Sequence, residues 1–177
     1  MSNDFTTFRA VRIEHATEAH LPAIRHLFNV LIPTTTIGWR DHLASEEEIR
    51  TWFDDQQRHR FPVLVAIDDA GNVAGYTCWS TFRGGERFPG YRHTAELTVH
   101  VDADHQRRGV GRALLAALVE EARRRDIHVL VAGIDADNTA SIELHRAVGF
   151  VEVAHMPEVG RKFDRWLDLV LMQRIVD

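Results

Sequence analysis

The sequence predicts a single α/β domain whose mixed, mostly antiparallel sheet has about six to seven strands, with helices on both faces. Along the chain, short runs of alternating or apolar residues, typical of strands, are followed by amphipathic segments, typical of helices. This order is the pattern of packed sheet and helix layers. No repeat, low-complexity tract or linker rich in Pro, Gly or Ser divides the 177 residues. We therefore expect one domain over residues 9–177, preceded by a loose tail at residues 1–8.

Four helices are expected from their start signals and apolar spacing. Pro22 lies in the first turn of a helix that begins near His20, and Ser45-Glu46-Glu47-Glu48 is a capping box that opens the second helix. The third helix follows Gly111 and carries apolar residues at helical spacing to about Arg125. A short fourth helix is predicted over residues 138–147.

The strands are predicted from apolar runs and period-two alternation. The turn Asp69-Ala70-Gly71-Asn72 joins two of them into a hairpin. The predicted strands lie near Val11 and Ile13 and at residues 62–68, 73–81, 94–101, 129–134, 150–154 and 166–173.

Composition and charge argue against several classes of protein. The net charge of −5 argues against a protein that binds nucleic-acid backbones. The N-terminus has neither the basic start nor the apolar run of a signal peptide, and no membrane span is evident, so we expect a cytoplasmic protein. The single cysteine, Cys78, lies in an apolar strand and is expected to be a buried structural thiol.

The sequence shows no metal motif and no serine-nucleophile motif. The eleven histidines are scattered, without the i, i+4 pair and adjacent glutamate of a zinc-binding helix, so we expect no metal ion. There is no Gly-x-Ser-x-Gly elbow for a hydrolase triad.

The most informative stretch joins the strand at residues 94–101 to the next helix. Unpaired amides at a helix N-terminus, together with the helix dipole, attract a diphosphate, and glycines let it approach the backbone. A Rossmann loop would need glycine in place of Leu114, and a P-loop would need Lys-Ser/Thr in place of Arg112-Ala113, whereas two glycines alone also fit a tight turn. The residues expected to bind phosphate are Gln106, Arg107, Arg108, Gly109, Val110, Gly111 and Arg112.

This loop resembles that of the GNAT superfamily of N-acetyltransferases, Gln/Arg-x-x-Gly-x-Gly/Ala, which wraps the pyrophosphate of coenzyme A. Residues 138–150 resemble a second family signature, Asn-x-x-Ala/Ser-x-x-Leu-Tyr-x-x-x-Gly-Phe, with His145 in place of tyrosine. Together with residues 91–96 and 160–168, these segments resemble the phosphinothricin and methionine sulfone/sulfoximine acetyltransferase branch. The resemblance runs from about Arg9 to Gln173.

Two features depart from that branch. The loop at residues 82–90 is longer here, at the expected acceptor pocket. Asp164 stands where family members often have glycine.

The resemblance implies a GNAT fold, acetyl-CoA as co-substrate and a homodimer. It also implies that the strand ending at Val99, His100 and Val101 splays from its neighbour, so that its backbone pairs with the pantetheine arm and one N–H bonds the thioester carbonyl. Such a donor contributes roughly 3–4 kcal/mol to transition-state binding. Asn138 is expected to cap its helix and, through the resemblance, to contact the cofactor with Ser141.

Glu96 is the expected catalytic base. Amine acetylation needs a neutral nitrogen, and a carboxylate between the apolar residues Ala95 and Leu97 is partly desolvated, which raises its pKa and suits it to accept the ammonium proton. The pattern alone equally fits an exposed strand glutamate or one paired with Arg92. The branch resemblance assigns the base to this position.

His145 is the second catalytic candidate. An imidazole there could protonate the departing thiolate or relay the amine proton, and the alternative is a packed helix histidine that bonds a carbonyl.

The acceptor site is expected to contain Arg83, Thr94, Glu96 and Trp39. Arg83 matches a position that contacts substrate in the branch, and an arginine suits a carboxylate. Arg87 competes for this role because of the longer loop, and Trp39 also fits a buried structural role.

We therefore predict an acetyl-CoA-dependent N-acetyltransferase that acts on a small amino acid or analogue by direct attack in a ternary complex. The alternatives are acetylation of a polyamine, an aminoglycoside or a protein N-terminus, and a non-catalytic module that senses coenzyme A.

Overall fold

A computed structural model of the chain describes residues 11–84 and 87–176. The predicted tail at residues 1–8 lies outside this part of the chain. The described residues form seven strands and four α-helices. In chain order these are β1 (Arg12–His15), α1 (Leu21–Leu31), α2 (Glu46–Arg58), β2 (Val63–Ile67), β3 (Val73–Thr81), β4 (Thr94–Val101), α3 (Val110–Arg124), β5 (Val129–Asp135), α4 (Thr139–Ala147), β6 (Val151–Lys162) and β7 (Arg165–Ile175).

The strands form one sheet in the order β1-β2-β3-β4-β5-β7-β6. β4 and β5 are parallel, and each of the other neighbouring pairs is antiparallel. A parallel neighbour needs a crossover, and α3 supplies it between β4 and β5. The predicted fold class is confirmed.

Helices cover both faces of the sheet because the strands alternate. Leu115 and Leu118 of α3 pack with Leu97 on one face. Ile24 of α1 and Phe53 of α2 pack on the other face, which we call the α1 face. The α1 face carries the cross-strand pairs Ser80–Glu96, Cys78–Thr98 and Tyr76–His100.

Local signals place the starts of α1, α2 and α4 within about one residue of the prediction, whereas α3 begins at Val110 and so includes Gly111, which was expected to precede it. The Ser45 hydroxyl accepts from the amide of Glu48, whose carboxylate accepts from the amide of Ser45, so the capping box is confirmed. Cys78 is buried, as expected.

β6 is the main error in the predicted elements. It extends to Lys162 rather than ending at Ala154, and it stays paired with β7 through a register shift between Met156 and Gly160. Pro157 and Glu158, which has a φ of 54°, lie in this shift and give the segment the appearance of a loop in the sequence. Pairing with β7 overrides that local signal.

A two-residue turn, Phe163-Asp164, joins β6 to β7. The two residues have φ values of 51° and 56°. Positive φ at both central positions is the type I′ hairpin geometry, which glycine and asparagine adopt most easily. This geometry explains why glycine is favoured at position 164. In this chain Asp164 adopts the same positive φ.

Candidate active site

A cleft opens between β4 and β5. The two parallel strands share three paired positions, and the last of these joins Glu96 to Val131. β5 continues to Asp135 and β4 to Val101, but they are not paired there, although β4 stays paired with β3 as far as Val101. The edge of β4 from residue 97 to 101 therefore faces the cleft, which is the splayed arrangement that the resemblance implied.

Glu96 lies at the closed end of this cleft, on the α1 face. Gly133 of β5 lies beside the Glu96 carboxylate, because a Cβ placed on this glycine would be 3.6 Å from Glu96 Oε1. The same Cβ would be 3.5 Å from Leu169 Cδ1 and 3.9 Å from Leu171 Cδ2, so the carboxylate has apolar neighbours. Partial burial raises its pKa.

Among the described residues, no group donates a hydrogen bond to the Glu96 carboxylate or forms an ion pair with it. The alternative pairing with Arg92 is wrong, because the Arg92 guanidinium bonds the carbonyl of Pro89 at 3.3 Å. Glu96 is thus an unpaired carboxylate at the point where the two strands separate. It is exposed on its strand, as the alternative interpretation expected, and is also partly desolvated by its apolar neighbours.

Unpaired backbone amides surround the start of α3. The first amide of this helix with an intramolecular acceptor is that of Ala113, which bonds the Gly109 carbonyl at 3.0 Å. Within the described chain, the amides of residues 107–112 have no acceptor. Arg107 and Gly109 have φ values of 61° and 83°, and alternation of left-handed and right-handed residues makes a concave nest of N–H groups.

The two glycines of this loop, Gly109 and Gly111, have different structural roles. Gly109 is the left-handed N-cap of α3, so it shapes the nest. Gly111 is buried, and a Cβ there would lie 2.8 Å from Leu144 Cδ2 and 3.5 Å from Val101 Cγ2. The missing side chain of Gly111 therefore lets α3 approach α4 closely, a packing role that the sequence did not indicate.

Side chains near the nest are free for an anion. The guanidinium groups of Arg107, Arg108 and Arg112 form no ion pair or hydrogen bond within the described residues. The Gln106 side chain bonds the Val101 carbonyl at 3.4 Å and so ties the loop to the end of β4. Amides, guanidinium groups and an open strand edge fit a ligand with a diphosphate and an extended amide-bearing arm.

α4 begins beside the cleft. Asn138 Oδ1 accepts from the amide of Ser141 at 3.1 Å, so the predicted N-cap is confirmed. The side-chain NH₂ of Asn138 has no acceptor within the described residues and could donate to a ligand. The hydroxyl of Ser141 lies 3.4 Å from His145 Nδ1.

His145 is buried on α4, with its ring at right angles to that of Phe150 at 5.2 Å between centroids. Nδ1 lies 2.8 Å from the Ser141 carbonyl, which can only accept, so Nδ1 carries the proton. Nε2 is buried and has no partner among the described residues. Desolvation lowers the pKa of His145 despite the bond to Ser141, so the ring is neutral near pH 7, with an acceptor lone pair on Nε2.

The side chain of His100 points away from the β4 edge that faces the cleft and lies in an aromatic cluster. Its ring lies 5.2 Å from that of Tyr76 and 6.0 Å from that of Phe28. Burial lowers the pKa of His100 to about 4, so its side chain is neutral and acts in packing. Its backbone remains beside the cleft, as does that of Val99.

The segment before α2 covers the α1 face near β6. A Cβ on Gly160 would lie 2.2 Å from Trp39 Cζ3, so the indole lies directly on that glycine. Trp39 is 37% exposed and therefore not a buried staple. The carbonyl of Gly38 accepts from Lys162 Nζ at 2.9 Å.

The loop after β3 carries the two candidate arginines. Arg83 is exposed with a φ of 49°, and the Arg87 guanidinium lies 5.8 Å from the centre of the Phe88 ring. Thr94 is half-buried two residues before Glu96, on the same face. No described contact joins either arginine to Glu96.

Sequence reasoning did not indicate that Lys162 is buried. It is a lysine only 5% exposed on the α1 face. The alternation of Gly160 and Lys162 along one strand could have indicated it, but the strand was expected to end at residue 154.

No group of three His, Cys, Asp or Glu side chains within residues 11–84 and 87–176 is placed to hold a metal ion. No helix in the same residues has the length and apolar character to cross a bilayer. Burial raises the pKa of Cys78 to about 12, so it is not an activated nucleophile.

Known proteins resemble this chain in sequence and architecture. The chain is similar to the L-methionine sulfoximine/L-methionine sulfone acetyltransferase of Pseudomonas aeruginosa, with 42% identity over 93% of this chain and 94% of that protein. It resembles the structure of a ribosomal-protein-alanine N-acetyltransferase from Brucella melitensis (47% identity, 93% of this chain, 99% of that chain, TM-score 0.88). It also resembles the structure of yncA from Salmonella typhimurium with its cofactor acetyl-CoA (41% identity, 95% of each chain, TM-score 0.89). Residues 24–150 match the acetyltransferase (GNAT) family, and the chain belongs to that family.

Proposed function

We propose that this protein transfers the acetyl group of acetyl-CoA to the primary amine of a small amino acid or analogue, of the phosphinothricin, methionine sulfone or methionine sulfoximine type. One observation carries the proposal: an unpaired amide nest and an unpaired, partly desolvated carboxylate flank the same cleft. The nest at residues 107–112 suits a diphosphate, and Glu96 suits an ammonium group.

The cofactor-binding part comprises the nest, the free arginine side chains and the open edge of β4. Bound acetyl-CoA would supply the acetyl group as an activated thioester. Backbone groups of Val99, His100 and Val101 line the cleft and would orient the pantetheine arm, while one N–H stabilises the developing oxyanion. Asn138 and Ser141 would approach from the start of α4.

Glu96 then acts as the general base. Its raised pKa brings it closer to that of an amine, which favours proton transfer from the bound ammonium. The neutral nitrogen attacks the acetyl carbon, the C–N bond forms, and the C–S bond breaks. No acetyl-enzyme is formed, because the only cysteine, Cys78, is buried as a thiol.

His145 acts as a proton relay in this scheme. Because Nδ1–H is fixed to the Ser141 carbonyl, the free Nε2 lone pair accepts the second proton, which the attacking nitrogen loses as the amide forms, and then gives it to the departing thiolate. The geometry therefore favours a relay over a resting imidazolium acid. Arg83, Thr94 and Trp39 complete the proposed acceptor site around Glu96.

The experiment is an acceptor panel. Purified protein is incubated with acetyl-CoA and methionine sulfone, methionine sulfoximine, phosphinothricin, spermidine or an aminoglycoside, and free thiol is followed. Thiol release with the amino acids is the expected result, and Glu96→Gln should lower kcat/KM by roughly 10²–10⁴-fold. A change of only a few-fold across pH 6 to 9 would show that Glu96 is not the base.

A second candidate is acetylation of a protein N-terminal alanine. The similarity to the Brucella melitensis structure favours including it. An Ala-initiated peptide is therefore added to the panel, and preference for it over the free amino acids would replace the first proposal. Tight coenzyme A binding without thiol release for any amine would instead support a sensor.

We also propose a homodimer that uses the edge strand β6. Several apolar side chains are exposed along it, including Val151 at 59%, Val153 at 49% and Val159 at 45%. An unpaired edge with exposed apolar residues favours pairing with a second chain. Light scattering should show a dimer, and Val153→Lys should shift it towards monomer.

A further inference from the structure

His105 links two parts of the chain that lie beside the amide nest. Its Nδ1 lies 2.8 Å from Oδ2 of Asp102, which follows β4, and its Nε2 lies 3.2 Å from Oδ2 of Asp68, which follows β2. We call these three side chains the His105 bridge. The side chains of His105 and Asp68 are only 22% and 20% exposed, so this contact is largely shielded from water. An imidazole held at both ring nitrogens has a single orientation.

The Asp68 end of the bridge is anchored in a tight turn at residues 68–72, between β2 and β3. Asp68 Oδ1 accepts from the amides of Ala70 and Asn72 at 2.9 and 2.8 Å, and the Asp68 carbonyl accepts from the Gly71 amide at 3.0 Å. The bond from the Asn72 amide is the main cause of a lowered pKa at Asp68, so this side chain is ionised near pH 7 and can only accept. The turn is therefore a fixed point for the bridge.

The other end of the bridge leads directly into the nest. Asp102 Oδ2 also accepts from the Asp104 amide at 3.2 Å, and the Asp102 carbonyl accepts from the His105 amide at 2.9 Å, which closes a short turn. His105 precedes Arg107, where the left-handed backbone of the nest begins, by only two residues. Fixing the His105 ring therefore fixes the direction in which the chain enters the nest.

A cavity lies between the nest and the β2–β3 turn. Its volume is about 220 Å³, and Arg108 and Val110 of the nest line it together with Asp68 and His105. Among the described residues, the contact between His105 and Asp68 is the one side-chain hydrogen bond or ion pair that joins this turn to residues 102–112. The polar tie between the turn and the nest therefore passes through His105.

We propose that His105 is a positioning residue for the cofactor, which holds the nest in the shape that receives the diphosphate of acetyl-CoA. His105 acts through the backbone that follows it. A loop that is already ordered binds more tightly, because binding does not have to order it. The proposal rests on the proposed function, since it takes the nest as the diphosphate site.

The test measures the Kd of coenzyme A by calorimetry, which needs no acceptor, and the steady-state constants for acetyl-CoA with methionine sulfone. His105→Ala removes both bonds of the ring. It should raise the Kd of coenzyme A and the KM of acetyl-CoA roughly tenfold, with kcat within about twofold of wild type. If His105 only stabilises the fold, His105→Ala will lower Tm and the active fraction, and therefore kcat, while Kd and KM keep their wild-type values.

Asp68→Ser and Asp69→Ser separate the bridge from simple electrostatics. Each removes one negative charge beside the diphosphate site, so electrostatics alone predicts equal or tighter cofactor binding in both. In Asp68→Ser the new hydroxyl can still accept from the turn amides but is too short to reach His105. Asp68→Ser should therefore weaken coenzyme A binding roughly tenfold, whereas Asp69→Ser, at an exposed position, should not weaken it.

His155→Ala is the control for the loss of a bonded histidine. His155 Nε2 lies 2.9 Å from Asp168 Oδ2, on the strand pair β6–β7. This contact has no part in the bridge, so His155→Ala should keep the wild-type Kd of coenzyme A and KM of acetyl-CoA.

Two outcomes overturn the role of His105: an unchanged Kd in His105→Ala, or the same Kd in Asp68→Ser and Asp69→Ser. Gly109→Ala examines the nest itself. If Gly109→Ala weakens coenzyme A binding and His105→Ala does not, the nest stands and the role of His105 fails. If neither changes the affinity, the diphosphate site fails as well. If wild type binds coenzyme A but acetylates no amino acid, the proposed acceptor fails, and the Kd values still decide the role of His105.

Discussion

Gly160 of β6 lies directly beneath the indole of Trp39, where a Cβ would be 2.2 Å from Cζ3. The contact joins residues far apart in the chain and fixes the segment that covers the α1 face. Because Trp39 belongs to the proposed acceptor site, its contact with Gly160 fixes the position of one residue of that site.

Gly160→Ala should therefore damage acceptor binding more than folding. The new methyl group displaces the indole, and since Trp39 is partly exposed the ring can move outward, so the cost to stability is about 1–3 kcal/mol. We expect the acceptor KM to rise at least about tenfold, measured by thiol release. In the Trp39→Ala background the same change should have little further effect, and an additive pair would contradict the contact.

The pKa of Glu96 predicts how stability depends on pH. Burial raises the folded-state pKa above the unfolded value, so the folded protein holds this proton more tightly. The contribution of this group to stability is complete below the unfolded pKa and is lost as pH rises through the folded pKa. Glu96→Gln should thus raise Tm at pH 7–8, by only about 1 °C because the side chain is partly exposed to solvent.

The gain in Tm from Glu96→Gln should shrink as pH falls towards the ordinary glutamate pKa. Thermal unfolding followed by circular dichroism from pH 4 to 8 measures it. A gain that grows on acidification would mean that the carboxylate is stabilised, not destabilised, by its surroundings.

Gly133→Ala tests the same carboxylate from the neighbouring strand. The added Cβ fits at ordinary contact distances, 3.5 to 3.9 Å, and removes water from beside Glu96. Its pKa should rise further, so the acid limb of the kcat/KM profile should move to higher pH by roughly half a pH unit. A limb that stays in place would show that another group titrates there.

Much of this arrangement could be predicted because its signals are local. The Ser45 capping box, the bounds of β3 and β4 and the Asn138 cap depend on residues within a few positions of each other. The burial of Lys162 depends on Gly38, 124 residues away, and its strand contains a proline and a register shift that imitate a loop. Glycine is needed at position 111 because Leu144 of another helix packs against it, and no local pattern reveals this contact.

His145→Asn should separate a proton relay from a packing role. The asparagine amide keeps a donor for the Ser141 carbonyl but has no equivalent of the unpartnered Nε2. If Nε2 carries the proton, kcat should fall by at least roughly tenfold with coenzyme A affinity unchanged. A variant with wild-type kcat would make His145 a packed core residue.

Gly109→Ala tests the amide nest, and Gly71→Ala is its matched control. Their φ values are 83° and 85°, so an alanine at either position costs about 1–2 kcal/mol in backbone strain. Gly71 lies in the β2–β3 turn with no atom within 4 Å of a new Cβ, so strain is its only effect. Gly109 shapes the amides that face the diphosphate, so Gly109→Ala should also weaken coenzyme A binding by on the order of tenfold, measured by calorimetry. Equal affinity in the two variants, at equal loss of Tm, would mean that the cofactor binds elsewhere.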